Sequence, residues 1–184
     1  MKFIKTEISD VYILEPSVFG DNRGYFLESF NLEEFEENVY PIKFVQDNES
    51  KSSKGVLRGL HFQKPPFEQA KLVRCIEGKV IDVAVDIRKG SPTYGMHIAV
   101  ELSGENKRQL FVPRGFAHGF SVLSESAIFT YKVDNSYAPV FDAGIRYDDK
   151  ELNIDWGLPE ADVQLSAKDE NLSFFKDFDS PFKF

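Results

Sequence analysis

Hydrophobic and polar residues alternate with a period of two through the middle of the chain. In residues 81–87 and 97–102 every second residue is Ile, Val or Leu, and the residues between them are Asp, Ala, His or Glu. This pattern predicts half-buried β-strands. Turn-forming pairs and short runs separate such segments, at Lys54–Gly55, Glu77–Gly78, Lys89–Pro92, Ser103–Asn106 and Pro113–Gly115. Many short strands at close spacing predict an all-β sandwich or jelly-roll barrel.

Short helices are predicted only at the periphery. Asn31 is a favourable N-cap, Glu34 occupies the third helical position, and the first turn is acidic, so a helix is expected from residue 31 onward. From about Asp148 the pattern changes to loops and a short helix. We expect residues 1–184 to form one domain, with the last ~35 residues packed on the barrel.

Charge and cysteine content narrow the class of partner. The formal net charge of −8 argues against nucleic acid, since binding there depends on neutralising phosphates, but a few Arg and Lys suffice for a small anion. Cys75 is the one cysteine, so no intrachain disulfide forms and a reducing compartment is expected. No apolar run approaches a membrane span. The sequence therefore predicts a cytoplasmic protein without a nucleic-acid or membrane partner.

Three histidines are available for chemistry. His97 lies on the polar face of its predicted strand and is expected at the surface. His61 and His118 each lie close to arginine and glycine residues, in Arg58–Gln63 and Pro113–Phe120. Hydrogen-bonded core histidines are the alternative, but two such segments in one small barrel favour a site.

The spacing Pro113-x-Gly115-x-x-His118 resembles the second motif of the cupins, a jelly-roll superfamily. The first cupin motif normally supplies two histidines flanking one residue, and then a glutamate, as metal ligands. Gln63 stands where the second of those histidines is expected, and Val122 replaces a usual asparagine. The resemblance implies a cupin double-stranded β-helix, and the lost ligand predicts a site with no metal. No other cofactor is expected. A two-histidine site completed by carboxylates is the alternative.

Without a metal, the pocket needs acid–base groups. Moving a proton next to a ketone requires a base, a proton donor on the other face and a positive group at the enolate oxygen. His61 suits the base, Tyr131 the acid, and Lys71, which shares strand parity with inward Val73, the oxyanion stabiliser.

The chain is further identified as similar, over essentially its whole length, to the dTDP-4-dehydrorhamnose 3,5-epimerase family. The order and spacing of several segments together carry this resemblance; they are 19–28, 46–48, 55–63, 86–95, 106–113, 131–146 and 165–169.

This resemblance implies roles for individual residues. A histidine matching His61, paired with an aspartate matching Asp169, removes the proton from C3 or C5; Tyr131 matches the proton donor on the opposite face. Lys71 and His118 match groups that hold the sugar and stabilise the enolate. By spacing alone, Asp169 belongs to the helix-capping pattern Ser166-x-x-Asp169, and only the resemblance favours catalysis.

The nucleotide end is implied in the same way. Arg23, Gln46, Asn48 and Arg58 match diphosphate and deoxyribose contacts. Glu28 matches a residue that recognises the thymine edge and Tyr137 one that stacks on the base. The remaining expected substrate contacts are Phe26, which shares strand parity with Glu28, and Asp47, Asp142 and Lys168. Asp142 stands where the family usually has glutamate, and its shorter side chain leaves that contact open.

One local feature conflicts with simple alternation. Arg58 and His61 fall on opposite faces of a regular strand, so either Gly59 allows a bulge or Arg58 reaches the site from an edge.

The residues and the resemblance together lead to several hypotheses about function. The resemblance implies a homodimer, with residues 23–28 completing the neighbour's site, and 3,5-epimerisation of dTDP-4-dehydro-6-deoxy-D-glucose in dTDP-L-rhamnose biosynthesis. The alternatives are a single-centre epimerase or keto-isomerase for a related dTDP-deoxysugar, a non-enzymatic sugar-nucleotide-binding cupin, and a metal-dependent cupin enzyme.

Overall fold

Strands make up most of the secondary structure in the computed structural model, which describes residues 1–184. The strands are β1 (Lys2–Lys5), β2 (Tyr12–Glu15), β3 (Val18–Asp21), β4 (Gly24–Leu27), β5 (Gln46–Ser53), β6 (Leu57–Gln63), β7 (Lys71–Glu77), β8 (Lys79–Asp86), β9 (His97–Ser103), β10 (Gln109–Val112), β11 (Phe116–Val122), β12 (Ser126–Val133) and β13 (Asp142–Gly144). The α-helices are α1 (Leu32–Asn38) and α2 (Ala167–Glu170). No helix is long and apolar enough to cross a membrane.

Two antiparallel sheets form the barrel. One has six strands in the order β1-β2-β10-β7-β12-β5, the other has five in the order β13-β6-β11-β8-β9, and β3 and β4 form a separate hairpin. Strands from distant parts of the chain alternate between the sheets, which is the jelly-roll arrangement. The predicted all-β jelly-roll class with short peripheral helices is confirmed.

The space between the sheets is divided into an apolar part and a polar part. Fifteen buried residues, among them Val73, Leu102 and Phe129, fill the apolar part. On β7 and β12 the next inward positions after Val73 and Phe129 are Lys71 and Tyr131, which line a cavity. The parity predicted for Lys71 is therefore confirmed, and the barrel interior becomes polar where the site lies.

Strand β8 corrects one expectation from the alternation. The pattern predicted a half-buried strand, but Asp82 and Asp86 are both 0% exposed. Their face lies in the barrel interior beside Val80 and Ala84, and the opposite face is covered by the C-terminal segment. Because both faces of this central strand are covered, the prediction of a half-buried strand is wrong.

Helix α1 closes part of the outer face of the six-stranded sheet. Asn31 Oδ1 accepts a hydrogen bond from the Glu34 amide at 3.2 Å, so the predicted N-cap is confirmed. Phe35 is fully buried and packs edge-on against Phe111 of β10, with ring centroids 5.1 Å apart. The helix is held by this aromatic contact as well as by its cap.

The C-terminal segment covers the outer face of the five-stranded sheet. Trp156 and Phe182 pack with Val83 and Val85 of β8, and the Trp156 carbonyl accepts a 2.6 Å hydrogen bond from Ser121. This packing places α2 against β6, the strand that contains the candidate base His61.

We expect Phe35→Ala to lower the free energy of unfolding by about 3–5 kcal/mol, because a fully buried ring is removed from a packed cluster. Leu32→Ala, in the same helix at a position 49% exposed, is the matched control and should cost less than about 1 kcal/mol. Urea denaturation measures both values. Equal losses in the two variants would contradict the anchoring role of Phe35.

Candidate active site

A cavity of about 530 Å³ lies between the two sheets. The structure brings together in its lining all four predicted catalytic residues and three of the predicted substrate contacts. These residues are His61, Lys71, Tyr131, Asp169, Arg58, His118 and Lys168. Residues from β6, β7, β11, β12 and α2 thus converge on one site, although they are spread over more than half of the chain.

His61 and Asp169 form a direct pair. His61 Nε2 contacts Asp169 Oδ1, and the Asp169 side chain is only 3% exposed. Ser166 Oγ accepts from the Asp169 amide at 3.2 Å and donates to Asp169 Oδ2 at 2.9 Å. Burial alone would raise the pKa of Asp169, but the contact with His61 and the Ser166 hydroxyl lower it below its ordinary value. Asp169 therefore takes part in the capping interaction made by Ser166, the N-cap of α2, and is also an ionised partner for the imidazole.

A β-bulge in β6 explains how Arg58 and His61 reach the same cavity. His61 lies opposite His118 and Arg58 opposite Phe120, so three steps along β6 match two along β11. Gly59 lies within this bulge with φ +139°, and a Cβ there would come 2.5 Å from the Gly119 Cα. The predicted bulge at Gly59 is confirmed, and the extra residue restores a common face for the two side chains.

Lys71 and Tyr131 form the opposite side of the cavity. The Lys71 ammonium lies 5.9 Å from the Tyr131 ring centroid and has no hydrogen bond or ion pair within the chain. Burial lowers the pKa of Lys71 to about 8, and the negative charges of Asp82 and Asp142 oppose this effect. Burial also raises the pKa of Tyr131. The site therefore contains a neutral phenol beside a cation that is free to stabilise new negative charge.

His118 lies on the cavity floor, paired with a carboxylate. Its Nε2 lies 3.1 and 2.9 Å from the two oxygens of Asp82. Burial lowers the pKa of His118, an effect that Asp82 opposes. Asp82 was missed by the sequence analysis. Its presence in a central strand was the available signal, because aspartate is depleted in strands.

The mouth of the cavity carries a second polar cluster. Asp142 Oδ2 accepts hydrogen bonds from Lys168 Nζ and, at 3.2 Å, from the Tyr137 hydroxyl. The shorter side chain of Asp142 thus reaches two of the predicted substrate contacts. Gln46 and Asn48 lie on the inner face of β5, where Asn48 is directly opposite Tyr131.

Eight predicted substrate contacts do not line the cavity; four of them are among the residues just described at its mouth, and the other four lie elsewhere. Asp47 lies on the outer face of β5, where its carboxylate accepts hydrogen bonds from Lys132 at 2.9 and 3.1 Å. Arg23 and Phe26 belong to the β3–β4 hairpin, Glu28 follows it, and all three are exposed outside the cavity. Asp47 points away from the cavity because it has the opposite strand parity to Gln46 and Asn48. The other three residues are kept away from the cavity by the position of the hairpin.

Gln63 does not face an open coordination site. Its Nε2 donates to the Phe67 carbonyl at 2.7 Å and the Ser136 carbonyl at 3.1 Å, and its Oε1 accepts from the Ala138 amide at 2.6 Å. No group of three or more His, Cys, Asp or Glu side chains is arranged to hold a metal ion. His97, expected at the surface, is half-buried on β9 and takes no part in the cavity.

The cavity has the groups required for proton transfer next to a carbonyl. An imidazole oriented by an ionised carboxylate can accept a proton, a neutral phenol can supply one, and an unpaired ammonium can stabilise the intermediate oxyanion. Arg58 adds a second cation suited to phosphate oxygens.

Comparisons with known proteins agree with this chemistry. A family model described as dTDP-4-dehydrorhamnose 3,5-epimerase matches residues 5–177. The enzyme of that name from Shigella flexneri is 58% identical over 180 residues, covering 97% of this chain and 98% of the relative. The crystal structure of the epimerase from Elizabethkingia anophelis has a TM-score of 0.92 at 57% identity, covering 96% of this chain and 97% of that one.

A further solved structure is that of the 3,5-epimerase from Legionella pneumophila in complex with dTDP-4-keto-L-rhamnose. It has a TM-score of 0.95 at 49% identity and covers 100% of this chain and 98% of its own. The match extends over nearly the whole sequence and includes the segments that carry the cavity. The chain belongs to the dTDP-4-dehydrorhamnose 3,5-epimerase family.

Proposed function

We propose that this epimerase inverts C3 and C5 of dTDP-4-dehydro-6-deoxy-D-glucose and gives dTDP-4-dehydro-L-rhamnose, the keto sugar of dTDP-L-rhamnose biosynthesis. One observation carries the proposal: the His61–Asp169 pair, the Tyr131 hydroxyl and the unpaired Lys71 ammonium line a single cavity. The ketone of the substrate acidifies both neighbouring carbons, so no redox step is needed.

Each inversion is a pair of proton transfers. His61 removes the proton from the carbon next to the ketone, and the electron pair moves to the C4 oxygen, where Lys71 stabilises the enolate. Tyr131 then donates a proton to the opposite face of the same carbon. His61 must lose its proton to solvent and Tyr131 must regain one before the second centre reacts. Both new C–H bonds therefore carry a solvent-derived proton.

The nucleotide is proposed to bind at the cavity mouth. Arg58 lines the cavity and its guanidinium donates to Ser52 at 3.2 Å, which leaves further N–H groups for the diphosphate. Tyr137 is 56% exposed, as a residue that stacks on thymine must be before the base binds. Lys168, Asp142, Gln46 and Asn48 surround this end, and His118 is proposed to contact the hexose.

We further propose a homodimer in which the β3–β4 hairpin completes the neighbour's site. The hairpin exposes Phe19 (66%) and Phe26 (69%), and large apolar patches of this kind commonly mark interfaces. Arg23 and Glu28 lie outside the cavity of their own chain, so they can serve substrate binding only in a partner's cavity. Asp47 is bonded to Lys132 on the outer face of the sheet, and its contact with the substrate stays a prediction.

The reducing cytoplasm is the proposed location. Cys75 is a free thiol buried in the barrel, and burial raises its pKa to about 11, which keeps it protonated and unreactive. A small dTDP-linked sugar is the only partner besides a second copy that the proposal requires.

Solvent labelling tests the reaction. Turnover in heavy water should place deuterium at both C3 and C5, read by NMR, because the donor phenol exchanges with solvent. His61→Asn should lower kcat by about 10²–10⁴-fold by removing the base. His97→Asn, the matched control outside the cavity, should behave as wild type. Label at only one carbon would contradict double epimerisation, and full activity of His61→Asn would remove the proposed base.

The charge of Lys71 predicts that kcat/KM falls at alkaline pH, which gives the pH profile an alkaline limb. Lys71 is an ammonium below its pKa of about 8 and loses its charge above it, so kcat/KM should be level at neutral pH and fall about tenfold per unit well above pH 8. Lys71→Arg keeps the charge and should lose this limb, although its absolute rate is lower. An unchanged limb in Lys71→Arg would assign the titration to another group.

Mixing inactive chains tests the shared site. His61→Asn and Arg23→Glu should each be weakly active alone. In a co-expressed heterodimer, one of the two sites combines a wild-type His61 with the partner's wild-type Arg23. An equal mixture should therefore recover about a quarter of wild-type activity, as random pairing of a twofold dimer predicts. Activity no higher than that of the separate variants would contradict the contribution of the hairpin.

A further inference from the structure

The pair formed by Asp82 and His118 has a chemical consequence for the cavity. Asp82 is 0% exposed and both of its carboxylate oxygens lie within hydrogen-bond distance of His118 Nε2, at 3.1 and 2.9 Å. A carboxylate can only accept, so Nε2 must carry the hydrogen. The hydrogen bond made by one ring nitrogen thereby decides the state of the other.

The other ring nitrogen, Nδ1, is left without a partner in the chain. His118 lines the cavity, and its Nδ1 has no hydrogen-bond partner within the chain. Glu68 Oε2 is the one side-chain polar atom sealed from solvent without a partner, so Nδ1 is not sealed. An imidazole that is neutral and protonated at Nε2 has a lone pair at Nδ1 and can only accept there.

A doubly protonated His118 is opposed by its surroundings. Burial lowers the pKa of His118, and the positive charge of Lys71 acts in the same direction, whereas Asp82 favours the charged form. The net direction is toward the neutral ring. His118 and Lys71 therefore differ in hydrogen bonding: the Lys71 ammonium donates hydrogen bonds, and the free nitrogen of the His118 imidazole accepts one.

We propose that Asp82 is a positioning residue that fixes His118 as its Nε2–H tautomer, so that Nδ1 accepts a hydrogen bond from a hydroxyl of the hexose. This assignment rests on the proposed function for the identity of the sugar. It leaves the enolate oxygen to Lys71, because a neutral Nδ1 acceptor repels an oxyanion. His118 then recognises the hydroxyl pattern of the sugar ring.

The tautomer is measured directly in the wild-type protein. With histidine labelled by ¹⁵N, NMR at neutral pH should show His118 Nε2 bonded to hydrogen and Nδ1 without one. Adding dTDP-glucose, which has the hexose hydroxyls but no ketone, should shift the Nδ1 resonance as it accepts a hydrogen bond, whereas dTDP alone should leave it in place. A hydrogen on Nδ1, or no response to dTDP-glucose, would overturn the proposal. Neither measurement requires turnover, so failure of the epimerase assay remains a separate result.

Substitution then tests the role of Asp82. In Asp82→Asn the carboxamide can donate as well as accept, so we expect a mixture of His118 tautomers and a kcat/KM lowered by about 10- to 100-fold. Asp86→Asn is the matched control: Asp86 is also 0% exposed on the same face of β8, but it is held by Arg88, Ser91 and Thr93 and does not contact His118. It should keep the wild-type tautomer. An unchanged tautomer together with unchanged kcat/KM in Asp82→Asn would contradict the positioning role.

Discussion

The ammonium group of Lys71 is held inside the barrel without a bonded counter-ion, and the rest of the site is arranged around that charge. Removing a cation from water costs several kcal/mol unless other charges compensate for it. Here the compensation comes from carboxylates at a distance, since Asp82 and Asp142 both favour the charged form but neither is bonded to it. A carboxylate bonded to the ammonium would have neutralised its charge and occupied its hydrogen-bond donors, so that it could no longer stabilise an enolate. Lys71 therefore remains available for the negative charge that the proposed reaction places on the substrate.

The other ionisable groups are each held in one state, by a bonded partner or by burial. Asp169 is kept ionised by His61 and Ser166, and Tyr131 is kept neutral by burial. The two histidines of the cavity are each held by a carboxylate at the same ring atom, Nε2. Asp169 reaches His61 from the short helix α2, whereas Asp82 reaches His118 from the centre of a sheet. His61 itself lies on barrel strand β6, so only its carboxylate partner belongs to a peripheral segment, whereas Asp82 and His118 both lie on barrel strands.

The sequence predicted much of the barrel because period-two alternation and turn residues report directly on strands and their ends. Parity along a strand also predicted the inward direction of Lys71, since Val73 lies two residues away. The same rule failed for Asp82, because it assumes that polar residues mark an exposed face, and β8 is covered on both sides. It played no part in the prediction for Asp47, which rested only on a matching segment, and parity places that side chain on the outer face of β5. The pairing of His61 with Asp169, 108 residues apart, came from family resemblance, as no local pattern encodes the approach of α2 to β6.

Gln63 illustrates why the cupin metal motif can be lost without loss of the site. The side chain at this position makes three hydrogen bonds that join residues 67, 136 and 138 to β6. A neutral histidine has one donor and one acceptor, so it cannot donate to two carbonyls and accept from an amide at once. Glutamine can, and the loop that it secures carries Tyr137 next to Asp142 at the cavity mouth. In this chain, position 63 holds the loop beside the cavity mouth, and Lys71 supplies a positive charge to the cavity from the opposite sheet.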